Sequence, residues 1–324
     1  MTALLEDDRL LEVRHLHKTF VSRSGLDTVR VQALHDVSFD VQRGEVLAIV
    51  GESGSGKTTT ARIIARLVDP SSGELWWKGK NVLESERVPS LAYRSQVQMI
   101  FQDPFASLNP VHTVGYHLER ALRRHGKARR GELQARVHAL LETVGLLPPA
   151  DVARKFPHQL SGGQRQRVSI ARALAVDPEL ILADEPTSML DVSIRIDILN
   201  LLRGLKEQRG LAYLYITHDL GSARYLADRV VVMYAGHVVE VGPSGPLLDQ
   251  PAHPYTQLLE AACSSGQVAG TPSPSGVRAV GSPLGAGCPF AARCPSVMER
   301  CRRELPPLRK ISTGALVRCH LYDG

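Results

Sequence analysis

The chain has no apolar run long enough to cross a bilayer. About 20 residues are needed, and the longest stretches, Val46–Val50 and Val230–Ala235, have the length of a strand. Its first residues, MTALLEDDRLLEV, are acidic and offer neither a basic leader nor an apolar segment, so no secretion signal is expected. Five cysteines are too few for a disulfide framework, and four of them lie at or beyond Cys288. Aromatic residues make up only 5% of the chain. None is interleaved with the basic stretch Arg120, Arg123, Arg124, Lys127, Arg129 and Arg130, which therefore lacks base-stacking platforms and reads as a solvated helix face. Charge of one sign is scarce too: 39 Lys and Arg against 33 Asp and Glu leave +6. That mild excess suits an anionic ligand or surface without indicating nucleic acid. No internal repeat is found.

What remains is an ordinary globular composition, 43% hydrophobic, in which short apolar runs alternate with helix-period segments. This is the pattern of an α/β fold. Val46–Val50 predicts a buried strand, followed by a Gly/Ser loop and a helix over Thr58–Leu67 with Ala61, Ile63, Ile64 and Leu67 on one stripe. Leu180–Ala183 and Leu211–Thr217 predict further strands covered on both faces. Val230–Tyr234 and His237–Val241, joined by Ala235-Gly236, predict a hairpin at a sheet edge, and Trp76-Trp77 a second edge hairpin. Residues 103–160 read as a mostly helical insertion, with a helix over Leu133–Leu147. The division expected is a core domain over 1–262, a Gly/Ser/Pro linker over 263–287 and a cysteine-bearing extension over 288–324.

Gly51-Glu52-Ser53-Gly54-Ser55-Gly56-Lys57-Thr58, between strand and helix, fits a phosphate-binding loop. Glycines let successive N–H groups turn inward onto phosphate oxygens, and the helix start adds its positive end. Lys57 can reach the β- and γ-phosphates, Thr58 is the expected Mg²⁺ ligand, and Thr59 follows it in the nucleotide-binding set. Leu180-Ile181-Leu182-Ala183 ends in Asp184 and Glu185, read as metal ligand and general base. A phosphate loop alone leaves kinases and GTPases open. Leu160-Ser161-Gly162-Gly163-Gln164 narrows the field, because a Ser N-cap with two glycines makes a second anion site at a helix start. Two such sites and one nucleotide imply a dimer, in which each chain's second site closes on the other chain's γ-phosphate.

In this ordered set the chain resembles the ATP-binding cassette family from Leu10 to about Pro254. The resemblance implies a P-loop ATPase core with an antiparallel subdomain. It also implies an adenine-stacking Phe20, a Gln102 that senses metal and water, and a signature at Leu160–Gln164. A dimer loop ending in Asp191 and a switch histidine, His218, complete the set. Met189 stands where the family's dimer loop usually has a small residue. The tail, with Cys288, Cys294, Cys301 and Cys319 and the adjacent His320, resembles the C-terminal extension of oligopeptide and dipeptide permease ATPases. That resemblance implies an iron-sulfur cluster of the [4Fe–4S] type on the four cysteines, with zinc or four reduced thiols in a hydrophobic cap as the alternatives.

The resemblance implies an ATP- and Mg²⁺-dependent importer subunit on the cytoplasmic face of the cell membrane. Its partners would be a second cassette, expected to be a related chain with an identical one as the alternative, two permease subunits and an extracellular binding protein, with no nucleic acid. A soluble cassette ATPase of translation or DNA repair is the alternative. His253-Pro254-Tyr255-Thr256 resembles a segment of the same permease subgroup and has no chemistry assignable from sequence.

Overall fold

The computed structural model describes residues 8–24, 27–264 and 286–323, and the expected linker over 263–287 lies almost wholly outside them. The chain divides into two compact units, one of residues 1–85 and 215–324 and the other of 86–214. Strand Ala212–Thr217 passes from one into the other.

The first unit holds two sets of strands. Arg9–Ser24 and Asp27–Gln42 form a long antiparallel pair, and the first also pairs with Ser72–Trp77, which in turn pairs with Lys80–Asn81. Leu11, Val13 and Leu16 bury one side of the first strand, and Leu34, Val37 and Val41 do the same on its partner. Trp76 and Trp77 sit in the hairpin at this sheet's edge, Trp77 buried and Trp76 covered by the Arg14 guanidinium 4.7 Å from its ring. Val46–Val50, buried at every position, runs parallel to Arg229–Tyr234, which pairs antiparallel with His237–Pro243. Each such wholly buried Val, Leu or Ile side chain contributes roughly 1.5–3 kcal/mol.

The hairpin Arg229–Tyr234/His237–Pro243 is present but does not end its sheet. Leu316–Val317 pairs with Glu240 and Val241, and Arg309–Lys310 pairs beyond that. The tail thus caps an otherwise open row of backbone groups, burying Val317 and Ala315 with Ala252.

In the second unit Val97–Ile100 lies parallel to Leu180–Asp184. Residues 103–160 contain the helices Val114–Arg124, Leu133–Thr143 and Pro149–Arg154, a short helix Pro104–Ser107 and a 3-10 turn of helix Pro157–Gln159. The helix predicted to reach Leu147 ends at Thr143. Val144 is its C-cap and Gly145 adopts φ 70°, the left-handed turn that closes a helix. Helix Val114–Arg124 buries Val114, Leu118 and Leu122 and leaves Arg120, Arg123 and Arg124 exposed, as a solvated basic face.

Candidate functional site

The loop Gly51–Thr58 can be built only with glycine at two corners. Gly51 has φ 150°, and a Cβ there would lie 2.2 Å from the Met233 carbonyl oxygen. Gly56 has φ 105°, and a Cβ would meet Leu34 Cδ2 at 2.7 Å and the Ala33 carbonyl at 2.8 Å. Helix Lys57–Ile64 starts at the end of the loop with no side-chain cap on its N-terminus, the helix end whose dipole favours an anion. Lys57 is only 5% exposed. Its ammonium curls back into the loop, donating to the Gly51 carbonyl at 2.7 Å and the Glu52 carbonyl at 2.8 Å. Ser53 and Gly54 are exposed, Ser55 is buried, and Thr58 and Thr59 are half-buried. Thr60 is wholly buried and donates to the Gly56 carbonyl at 3.1 Å, fixing the first turn.

Phe20 is 42% exposed, with the Lys18 ammonium 4.9 Å from its ring, so it is a surface platform and not a core residue. His218 is exposed just beyond strand Ala212–Thr217. The turn under it is tied down: Thr217 Oγ1 accepts from the Asp219 N–H at 3.0 Å, and Asp219 caps the next helix through the Gly221 N–H at 2.9 Å.

In the second unit the strand Leu180–Asp184 carries Asp184 into a buried position, 3% exposed. Glu185 follows with φ 45°, a left-handed conformation that a non-glycine residue adopts at a cost of about 1–3 kcal/mol. Its Oε2 accepts a hydrogen bond of 2.9 Å from Gln102 Nε2, joining two residues 83 positions apart. Ser161 forms a full capping box on helix Gly162–Leu174: its Oγ accepts from the Gln164 N–H at 3.3 Å, and Gln164 Oε1 accepts from the Ser161 N–H at 3.1 Å. Gly163 is packed so tightly that a Cβ would lie 2.6 Å from Ile194 Cγ2. Asp191 is exposed at the N-cap of helix Val192–Arg209, and Met189 is 56% exposed beside it. Thr58 in the first unit carries a hydroxyl oxygen, and Asp184 and Gln102 in the second carry carboxylate and amide oxygens, the hard ligand type that suits Mg²⁺.

The four tail cysteines line one cavity together with Phe290 and His253. Burial pushes the Cys288 thiol up to about 11, with the three neighbouring thiols adding to it, and raises Cys294 and Cys319 as well. Burial thus favours the thiol over the thiolate form at Cys288, Cys294 and Cys319. Among the described residues no three or more His, Cys, Asp and Glu converge closely enough to hold a metal ion. The four thiols thus share the lining of one cavity without forming a metal-binding group.

Sequence reasoning missed two residues. The Tyr255 hydroxyl accepts from the Glu52 N–H at 2.8 Å. The Arg293 guanidinium holds the Glu52 carboxylate through two bonds, of 2.8 and 2.9 Å. Tyr255 was visible in the His-Pro-Tyr-Thr segment. Arg293 gave no signal, because 241 residues separate it from its partner.

Strand, glycine loop, helix and buried lysine define a phosphate-loop nucleotide-binding protein. A family model described as ABC transporter matches residues 34–188, and one described as oligopeptide/dipeptide transporter, C-terminal region, matches 239–301. The chain is 41% identical over 332 residues to the oligopeptide transport ATP-binding protein AppF of Bacillus subtilis, covering 100% of both. It is 49% identical over 254 residues to OppF of the same organism, covering 78% of this chain and 81% of that one. Among solved structures it is similar to cbiO1 from Clostridium perfringens, part of the ABC transporter complex cbiONQ. The TM-score is 0.64 at 28% identity, over 75% of this chain and 92% of that one. It is also similar to the ATP-binding cassette MJ0796, solved as a dimer in a post-hydrolysis state with ADP and Pi. There the TM-score is 0.62 at 31% identity, over 72% and 98% of the two chains. The chain belongs to the ABC transporter family and is an ATPase coupled to transport. No helix among the described residues is long and apolar enough to cross a membrane.

Proposed function

We propose that the chain powers uptake of oligopeptides or dipeptides, seated on the cytoplasmic face of the membrane beside two permease subunits and fed by an extracellular binding protein. It pairs with a second ABC ATPase, a related chain or a second copy of itself. The observation that carries this reading is the union in one chain of the phosphate loop with the oligopeptide/dipeptide C-terminal region. The relatives named for oligopeptide transport support the cargo, and the dimeric solved cassette supports the pairing.

In this mechanism the loop from Gly51 to Thr58 holds the triphosphate by its N–H groups and Lys57, and Phe20 stacks the adenine. Thr58, Asp184 and Gln102 would hold Mg²⁺, which neutralises phosphate charge when bound. Glu185 takes the proton of the attacking water, and Gln102, already bonded to it at 2.9 Å, orients that pair. His218 orders the γ-phosphate. The Ser161 hydroxyl and the helix-start N–H groups of Gly162 and Gly163 face the partner's γ-phosphate, Gln164 holds Ser161 through the capping box, and Asp191 lines the dimer loop.

Cys288, Cys294, Cys301 and Cys319 would hold a [4Fe–4S] cluster, which would supply a covalent staple for the tail. The count of four thiols is what favours a cluster over zinc. Anaerobic purification with iron and sulfide analysis tests it; a colourless, metal-free protein contradicts it.

The transport reading is tested by purifying the chain with its partners. Recovery of permease subunits, and ATP turnover raised by a peptide-loaded binding protein, is expected. Recovery on ribosomes or DNA would overturn it in favour of a soluble cassette.

A further inference from the structure

A carboxylate is a poor neighbour for a triphosphate, yet Glu52 stands second in the phosphate loop. Its side chain is 43% exposed, and its repulsion would act on the same oxygens that the loop amides attract. The chain answers this charge from its far end. Arg293 reaches Glu52 with both terminal nitrogens, Nη1 to Oε2 at 2.8 Å and Nη2 to Oε1 at 2.9 Å, the two-pronged fit of guanidinium to carboxylate. The guanidinium is only 23% exposed and lies 5.8 Å from the rings of both Tyr234 and Phe290, so its direction is set by packing. Its pKa is raised by the bond to Glu52, so it carries its charge throughout the physiological range.

The anchorage behind Arg293 is equally specific. Phe290 is wholly buried and meets Tyr234, Tyr255 and His253 in one aromatic cluster. Tyr255 in turn accepts the Glu52 backbone N–H, and its own N–H is held by His253 Nδ1 at 3.0 Å. The buried Glu240 carboxylate accepts the N–H groups of Ala252 and His253 at 2.9 and 3.0 Å, fixing that turn. Glu52 is therefore gripped at backbone and side chain from two separate parts of the C-terminal region.

We propose that Arg293 is a charge-compensating, positioning residue of the nucleotide site: it neutralises Glu52 so that the phosphate loop presents a net donor surface to the triphosphate. The C-terminal extension is then part of the nucleotide-binding apparatus. A chain whose tail segment is undocked binds ATP more weakly because Glu52 is left uncompensated. This rests on the reading of Gly51–Thr58 as the triphosphate site.

The sign of the effect separates compensation from simple stapling. In the full chain, binding of a non-hydrolysable ATP analogue with Mg²⁺ is titrated for the wild type and for Arg293→Ala, Glu52→Gln/Arg293→Ala and Lys57→Ala. Arg293→Ala is expected to weaken binding about tenfold at low salt and less at high salt, where charge is screened. The double variant, relieved of the carboxylate, is expected to regain most of the wild-type affinity. If the double variant binds as weakly as Arg293→Ala, or the loss does not respond to salt, Arg293 is a structural staple and the proposal fails. Unchanged binding in Arg293→Ala beside lost binding in Lys57→Ala also overturns it, and leaves the phosphate loop intact. Unchanged binding in Lys57→Ala overturns the underlying site itself.

Discussion

At the scale of single residues, the proposed chemistry rests on Glu185 and the geometry that holds it. Glu185 sits in a left-handed conformation with its carboxylate bonded to Gln102. Such strain at a carboxylate persists only where the surroundings over-determine it. Glu185→Gln is expected to bind ATP and lose at least about 10²-fold in hydrolysis, the lower range of general-base effects. Phosphate release under saturating ATP measures this, and near-normal turnover would refute the base assignment. A second prediction concerns pH. His237 is buried, and burial, with His35, Arg318 and His17 nearby, pulls its pKa down to about 3. The folded chain keeps it neutral while the unfolded chain protonates it near 6.5. Its contribution to stability is therefore complete above about pH 6.5 and lost progressively as the pH falls toward 3. Urea unfolding at pH 7 and pH 5 is expected to show this loss and a shallower dependence in His237→Gln. Equal slopes in the two proteins would contradict the assignment. The sequence made Glu185 legible by its place after an apolar run, but it could not reveal the bond to Gln102, which only the pairing of Val97–Ile100 with Leu180–Asp184 creates.

At the scale of elements, the two glycine-rich helix starts are held by different means, and each gives a distinct prediction. Gly56 has no room for a Cβ against Leu34 and the Ala33 carbonyl. Gly56→Ala must shift the loop and is expected to abolish nucleotide binding while costing more than about 1 kcal/mol of stability. Retained binding by isothermal titration would show that the loop has slack the packing denies. The second start depends on the reciprocal bonds between Ser161 and Gln164. Ser161→Ala is expected to cost about 1 kcal/mol through the lost cap, seen as a lower urea midpoint at constant slope. Buried strands and the Ser161 N-cap were readable because local pattern decides both. Leu180–Asp184 and Val46–Val50 are apolar throughout, and Ser161 stands three residues before Gln164. The hairpin expected at a sheet edge was misread for the opposite reason. Its cover, Leu316–Val317, lies some 75 positions away and is too short to announce itself as a strand.

At the scale of the whole molecule, the chain carries a phosphate loop and a separate signature helix, and the proposed reaction needs one from each of two protomers. The extension past Cys288 belongs to the same compact unit as the loop, and it was legible as a cysteine cluster but not as a partner of Glu52. Contacts made across the full length of a chain leave no periodicity to read. The most direct test of the two-protomer account is ATP turnover per chain over a dilution series, with Ser161→Ala measured alongside. Turnover that falls toward zero as the protein becomes monomeric, and is lost in the variant at all concentrations, is the predicted result. Full turnover that is independent of dilution, and untouched by the change at Ser161, would contradict it.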